Sequence, residues 1–172
     1  MCGIIGFTGN LQAPGILVDG LQQLEYRGYD SAGIAVNNGS ETKIVKTTGK
    51  VATLREKVEA TADLAGTCGI GHTRWATHGG VTEVNAHPHV SGNVTLIHNG
   101  IIENYKELAA SLKTKGFTAI SETDTEVAAM LIDSLYDGDP FAALKEADQM
   151  LEGAYGFCVM FKDHPGEIYC MR

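Results

Sequence analysis

The sequence predicts a single α+β domain of layered sheets and helices. Short apolar runs of strand character and amphipathic stretches at helical spacing follow one another in mixed order. Turn signals such as Asn37-Asn38-Gly39 set neighbouring strands up as hairpins. The length of 172 residues, with 44% hydrophobic and 20% charged residues, suits one domain with a substantial core.

Taken in order, Cys2 to Thr8 is an apolar run ending in Gly-Asn and reads as a strand at the start of the chain. A helix follows over Pro14 to Arg27, where Ile16, Leu17, Leu21 and Leu24 share a face, Pro14 suits the first turn and Gly28 the C-terminal cap. Ser31–Val36 and Thr42–Thr47 form the hairpin, Val51–Leu64 a second helix, and Cys68–His72 a strand. The stretch Thr73 to Ser91 is long for a connection, which marks it as a candidate functional loop before the strand Val94–His98. A helix over Tyr105–Lys115 stops at Gly116, and Phe117–Ile120 is expected as a brief strand. Thr123-Asp124-Thr125-Glu126 matches a capping box, with Thr123 as cap and Glu126 reaching back, and Val127, Met130, Leu131 and Leu135 give its helix one apolar face. Asp139-Pro140 opens a last helix to about Leu151, and Tyr155–Phe161 and Ile168–Met171 are the final strands.

The charge of −8, with no Lys/Arg cluster, argues against a nucleic-acid or anionic-membrane surface. Cys2, Cys68, Cys158 and Cys170 never form a C-x-x-C pair, so neither a zinc knuckle nor a disulfide scaffold is indicated and a reducing cytoplasm fits best. The start MCGIIGFTGN lacks the basic n-region of a signal peptide, and no stretch approaches the ~18 apolar residues of a membrane span.

The most informative residue is Cys2. If Met1 is removed, thiol and α-amine share one residue, with ordinary pKa values of ~8.5 and ~7.7–8.0, so the nucleophile carries its own base. The bland alternative is a small buried cysteine. Arg27-Gly28 reads first as a helix end. The run from Gly71 to Gly79 holds Arg74, whose planar fork suits a carboxylate, and Trp75, which suits an aromatic lid, though a polar surface loop fits as well. His72, His78, His87, His89 and His98 crowd a short interval, but no His-Glu-x-x-His or Cys/His spacing supports a metal site, and no metal or cofactor is assigned. Asn99-Gly100 is both a strong hairpin-turn signal and a candidate oxyanion hole, built from the Asn99 amide and the Gly100 N–H. Asp124 either complements its helix dipole or holds a ligand ammonium.

Six segments together resemble one family: Met1-Cys2-Gly3-Ile4-Ile5-Gly6, Tyr26 to Gly33, His72 to Gly79, Asn85 to His89, His98-Asn99-Gly100 and Glu122 to Glu126. It is the glutaminase domain of the class II, N-terminal-nucleophile amidotransferases, and the 73–79 and 85–89 runs resemble its hexosamine-forming branch. The resemblance implies a four-layer αββα sandwich of antiparallel sheets and hydrolysis of the L-glutamine side-chain amide. It implies Cys2 as nucleophile, Asn99 and Gly100 as oxyanion donors, and Arg74, with Thr77 and His78, as clamp on the glutamine carboxylate. Asp124 would pair with the ammonium, Trp75 would belong to the closing loop, Arg27 and Gly28 would orient the cysteine, and His87 would lie nearby. In that branch the ammonia passes to fructose 6-phosphate, giving glucosamine 6-phosphate.

The family's enzymes continue into two sugar-isomerase-like domains for which this sequence has no counterpart, and their glutaminase domain runs beyond Arg172. Residues 1–172 are therefore expected to be a truncated glutaminase domain, with an exposed sheet edge that favours homo-oligomers. The alternatives are an inactive glutamine-binding module and the glutaminase half of another class II amidotransferase.

Overall fold

The computed structural model of the protein describes residues 2–172, so the expected removal of Met1 lies outside the described residues. Strand β1 (Gly3–Thr8) leads into helix α1 (Ala13–Gln23), followed by a 3-10 turn at Glu25–Arg27. Strands β2 (Ser31–Asn37) and β3 (Thr42–Thr48) form the expected hairpin, α2 spans Val51–Ala60, and β4 (Cys68–Arg74) returns between β1 and β2. The first sheet has the order β1-β4-β2-β3 and is antiparallel throughout.

The second sheet is built from β5 (His89–Ser91), β6 (Val94–Ile102), β7 (Gly153–Phe161) and β8 (Tyr169–Met171), in that order and again antiparallel. Between β6 and β7 the chain forms α3 (Tyr105–Thr114), α4 (Asp124–Leu135) and α5 (Pro140–Met150).

Three apolar clusters define the layers. Leu17, Val18 and Leu21 of α1, with Leu54 of α2, pack on Ile34, Val36 and Val45 of the first sheet. Leu108, Leu112, Val127, Leu131 and Leu144 of α3 to α5 pack on Leu96, Phe157, Val159 and Phe161 of the second. Between the sheets, Ala35, Cys68 and Ile70 meet Ile97, Cys158 and Met160. Strand residues therefore bury both faces, one on helices and one on the other sheet, which explains the unbroken burial of β2 and β4. The result is the αββα sandwich. Among the described residues, no helix is long and apolar enough to cross a membrane.

Four expectations need correction. Asn99-Gly100 is not a hairpin turn: β6 runs straight through it, with Asn99 opposite Gly156 and Gly100 opposite Tyr155. Pairing along the whole of β7 outweighs the local turn signal. Gly100 has φ 135, and a Cβ there would lie 2.0 Å from the Ala154 carbonyl, so only glycine fits this crossing of the two strands. Phe117–Ile120 is not a strand. The Phe117 N–H closes the end of α3 on the Leu112 carbonyl, and the N–H groups of Ile120 and Ser121 go to the Glu126 carboxylate at 3.1 and 2.6 Å. Glu126 thus reaches past its expected target, while Thr123 caps as expected by accepting the Glu126 N–H at 3.2 Å. The long loop is also shorter than expected, because β4 extends to Arg74 and β5 begins at His89.

Candidate active site

The two sheets bring the candidate residues together at one end. Cys2 directly precedes β1, which pairs with β4 so that Gly3 faces Thr73. The chain leaves β4 after Arg74, and the Trp75 backbone N–H donates to the Cys2 sulfur at 3.2 Å. From the other sheet, the Asn99 side-chain Nδ2 donates to the Cys2 carbonyl at 3.4 Å. A cavity of about 590 Å³ lies at this junction. Cys2, Arg27, Arg74, Trp75, Thr77, His78, His87, Asn99, Gly100 and Asp124 all line it. Gly28, with φ 75, caps the 3-10 turn behind it, where a Cβ would sit 3.5 Å from the Trp75 ring.

Arg74 is buried, and its guanidinium donates to loop carbonyls: that of His78, that of Gly79 at 3.4 Å and that of Gly80 at 3.2 Å. The fork therefore shapes the loop while facing the cavity. Asp124, which lines the same cavity, opens α4, and its buried carboxylate accepts the Ile102 N–H at 3.0 Å. Its Oδ2 lies 4.0 Å from the Nδ1 atoms of both His78 and His98. His78 rests edge-on against Tyr105, and the Thr77 hydroxyl approaches its ring nitrogen at 3.5 Å. A cationic and an anionic side chain thus line one cavity together with a thiol.

His72, His87 and His98, which line the cavity, form a buried cluster with His89. His72 Nε2 bonds Asn99 Oδ1 at 3.0 Å, and the His72 ring stacks on His87 at 4.1 Å. Thr125 Oγ1 sits between His98 Nδ1 at 3.0 Å and His87 Nε2 at 3.3 Å. His89 bonds the capping Thr123 at 3.1 Å. Burial pushes His72 down to about 3 and His87 and His89 well below the usual histidine value. Burial likewise takes His98 down to about 4, partly opposed by the Asp124 charge. At neutral pH these four rings are uncharged. Their hydrogen bonds go to threonine, asparagine and backbone groups, and among the described residues no three His, Cys, Asp or Glu side chains converge as metal ligands.

Several residues that shape the site carry no role in the sequence reading. Asp30 accepts the Ala76 N–H at 2.6 Å and pins the loop just after Trp75. Asn85 Nδ2 donates to Glu122 Oε2 at 2.9 Å, the Glu122 backbone N–H donates to Asn85 Oδ1 at 3.0 Å, and the Glu122 carboxylate also accepts the Gly80 N–H at 3.2 Å. Lys46 donates to the Ala86 carbonyl at 2.6 Å, and burial lowers it to about 8. Gly33 lets the loop close on the first sheet, since a Cβ there would lie 2.2 Å from the His87 carbonyl. For Asp30, Gly33, Asn85 and Glu122 the only signal is their position inside the segments Tyr26–Gly33, Asn85–His89 and Glu122–Glu126; for Lys46 there is none.

A sequence profile described as a glutamine amidotransferase domain matches residues 72–172. Glutamine–fructose-6-phosphate aminotransferase (isomerizing) of Thermus thermophilus is 53% identical over 166 residues, covering 95% of this chain and 27% of the relative. The protein of the same name from Caldanaerobacter subterraneus is 49% identical over 174 residues, covering 100% of this chain and 28% of the relative. The chain thus spans less than a third of the length of these relatives. Glutamine phosphoribosylpyrophosphate amidotransferase from Bacillus subtilis superposes with a TM-score of 0.79 at 30% identity, covering 94% of this chain and 35% of that structure.

Proposed function

The chain belongs to the class II glutamine amidotransferase family, and from that premise we propose that residues 1–172 act as a glutaminase domain with Cys2 as the nucleophile. One observation carries the reading: Cys2, just before the first sheet, and Asn99 of the second sheet touch, and the cavity they both line also has Arg74 and Asp124 in its lining. A cavity of about 590 Å³ accommodates an amino acid, and a cationic and an anionic side chain in its lining, both against His78, match an α-carboxylate and an α-ammonium on one carbon.

In the proposed cycle, removal of Met1 frees the Cys2 amine. That amine takes the thiol proton as sulfur attacks the side-chain amide carbon of glutamine. The C–S bond forms while the carbonyl π electrons move to oxygen. The Asn99 Nδ2–H and Gly100 N–H groups stabilise this oxyanion, a contribution of roughly 3–4 kcal/mol per donor. The amine returns its proton to the leaving nitrogen, ammonia departs and a glutamyl thioester remains. Water, deprotonated by the same amine, attacks the thioester and releases glutamate and the thiol. Arg74, helped by Thr77 and His78, holds the carboxylate and Asp124 the ammonium. Arg27 and Gly28 orient the nucleophile's end of the chain, His87 backs the cavity, and Trp75 closes it. A reduced thiol suits a reducing compartment such as the cytoplasm.

The curated relatives are named for fructose 6-phosphate, and we extend the proposal to that acceptor. In it, the ammonia is delivered to a sugar-phosphate site formed by sequence outside the matched region.

The test is glutamate release, with and without fructose 6-phosphate, together with labelling by a glutamine-shaped alkylating agent and the intact mass. Stoichiometric label on Cys2 of protein lacking Met1, and loss of turnover in Cys2→Ala with the fold intact, is the expected result. Unlabelled protein that still binds glutamine would establish a binding module instead.

A further inference from the structure

We propose that His72 is a positioning residue for glutamine hydrolysis: it fixes which end of the Asn99 carboxamide faces Cys2. The proposal rests on the reading of Asn99 as an oxyanion donor.

The two ends of an asparagine amide have nearly the same shape, so only their partners decide the orientation. With Nδ2 toward Cys2, the amide offers N–H groups to a developing oxyanion. Rotated by half a turn, it would offer an oxygen and repel that charge. Asn99 is half-exposed at the cavity wall, and its Nδ2 bond to the Cys2 carbonyl is long, at 3.4 Å. The shorter constraint is the 3.0 Å contact between Asn99 Oδ1 and His72 Nε2.

That contact has the required direction only if His72 carries its proton on Nε2. Neutral imidazole has one N–H. The ring is fully buried, and Nδ1 makes no hydrogen bond of acceptable length and angle, whereas Nε2 has Asn99. An unpartnered buried N–H is costlier than an unused lone pair, so the proton belongs on Nε2. Burial outweighs the nearby Asn99 side chain and His98 backbone, pushes the ring down to about 3 and keeps it a single donor at neutral pH.

The ring is itself held in place. It stacks on His87 with an interplanar angle of 18°. His87 accepts the His98 backbone N–H on Nδ1 at 3.3 Å, so its own proton lies on Nε2, toward Thr125. His72 belongs to β4, opposite Ile4 of β1 and Gly33 of β2, and Asn99 belongs to β6. Their bond therefore joins the sheet that carries the nucleophile to the sheet that carries the oxyanion donor, a place where a small misorientation costs much rate.

The experiment measures kcat and KM for glutamine in His72→Leu, His72→Gln, Asn99→Ala and the Leu/Ala double variant, alongside the imidazole tautomer of His72 by ¹⁵N NMR in the unmodified chain. Expected is a fall in kcat of about 100-fold for His72→Leu, with KM within about threefold. At least about tenfold of that loss should return in His72→Gln, whose amide can donate near the Nε2 position. The double variant should be no slower than Asn99→Ala, because the two residues act through one group. If Asn99→Ala is inactive while His72→Leu keeps kcat within about threefold, the positioning role is wrong. If Asn99→Ala itself retains its rate, the oxyanion reading fails instead. Should His72→Leu fail to fold, the tautomer decides: a proton on Nε2 supports the proposal and a proton on Nδ1 overturns it.

Discussion

Arg74 and Asp124 line one cavity and meet at the same loop residue, the Arg74 guanidinium on the His78 carbonyl and the Asp124 carboxylate 4.0 Å from the His78 ring, although Arg74 closes β4 and Asp124 opens the helix that packs on β6. The guanidinium is tied to the carbonyls of residues 78–80, and the carboxylate is tied to the Ile102 amide. Each charge is thus fixed by backbone before any substrate arrives.

Arg74→Lys keeps the charge and loses the planar fork that reaches three carbonyls at once. The KM for glutamine is expected to rise roughly 10- to 100-fold, the equivalent of about 1.5–3 kcal/mol for a charged hydrogen bond. Steady-state kinetics check this, and an unchanged KM would remove Arg74 from the binding site.

Asp124→Asn keeps the shape and the acceptor for the Ile102 N–H but removes the negative charge. Binding of glutamine should weaken by at least about tenfold, since an ammonium then meets a neutral amide. Glutarate monoamide, which lacks the ammonium, should inhibit the variant and the parent about equally. A matching loss for both ligands would point to a collapsed site.

Trp75 is the only tryptophan and is 55% exposed at the cavity rim, with its backbone on the Cys2 sulfur. Its emission should move to shorter wavelength, and iodide should quench it less, as glutamine saturates the site and the loop closes. A spectrum indifferent to glutamine at concentrations that support turnover contradicts a closing role.

The fold should lose stability on the acid side. His72 and His98 have folded values of about 3 and 4, below the unfolded value, so the unfolded chain binds protons first as pH falls. Their neutral, buried state is fully favourable above about pH 6.5 and is lost as pH drops toward the folded values, at up to about 1.4 kcal/mol per pH unit for each ring. Urea midpoints measured from pH ~7 to ~5 should fall steadily, and a flat profile would show that the rings are not buried and neutral.

Two glycine substitutions should differ in sign. Gly100→Ala meets the Ala154 carbonyl at 2.0 Å with φ 135 and should cost roughly 2–4 kcal/mol. Gly15→Ala, within α1 and with no atom within 4 Å, should gain roughly 0.5–1 kcal/mol from helix propensity. Denaturant midpoints of the two variants give the comparison.

The elements with strong local signals are legible in the sequence. The β2–β3 hairpin, the Thr123 cap and the Asp139-Pro140 helix start are written in a few neighbouring residues, and local chemistry is enough to produce them. Phe117–Ile120 has the composition of a strand but not its structure, because the partner of the Ile120 amide and of the Ser121 amide after it, Glu126, lies on the next helix.

By itself, the sequence named many of the residues that line the candidate cavity, because thiol, arginine fork, histidines and acidic helix start are chemical types that a sequence displays directly. Only the tertiary structure decided how they are used. Asn99-Gly100 became part of a strand rather than a turn because nine residues of β7 pair along β6. His72 became the partner of Asn99 because one sheet lies over the other. Both outcomes depend on contacts between residues far apart in the chain, and local propensities of a fraction of a kcal/mol per residue give way to the burial and pairing of whole strands.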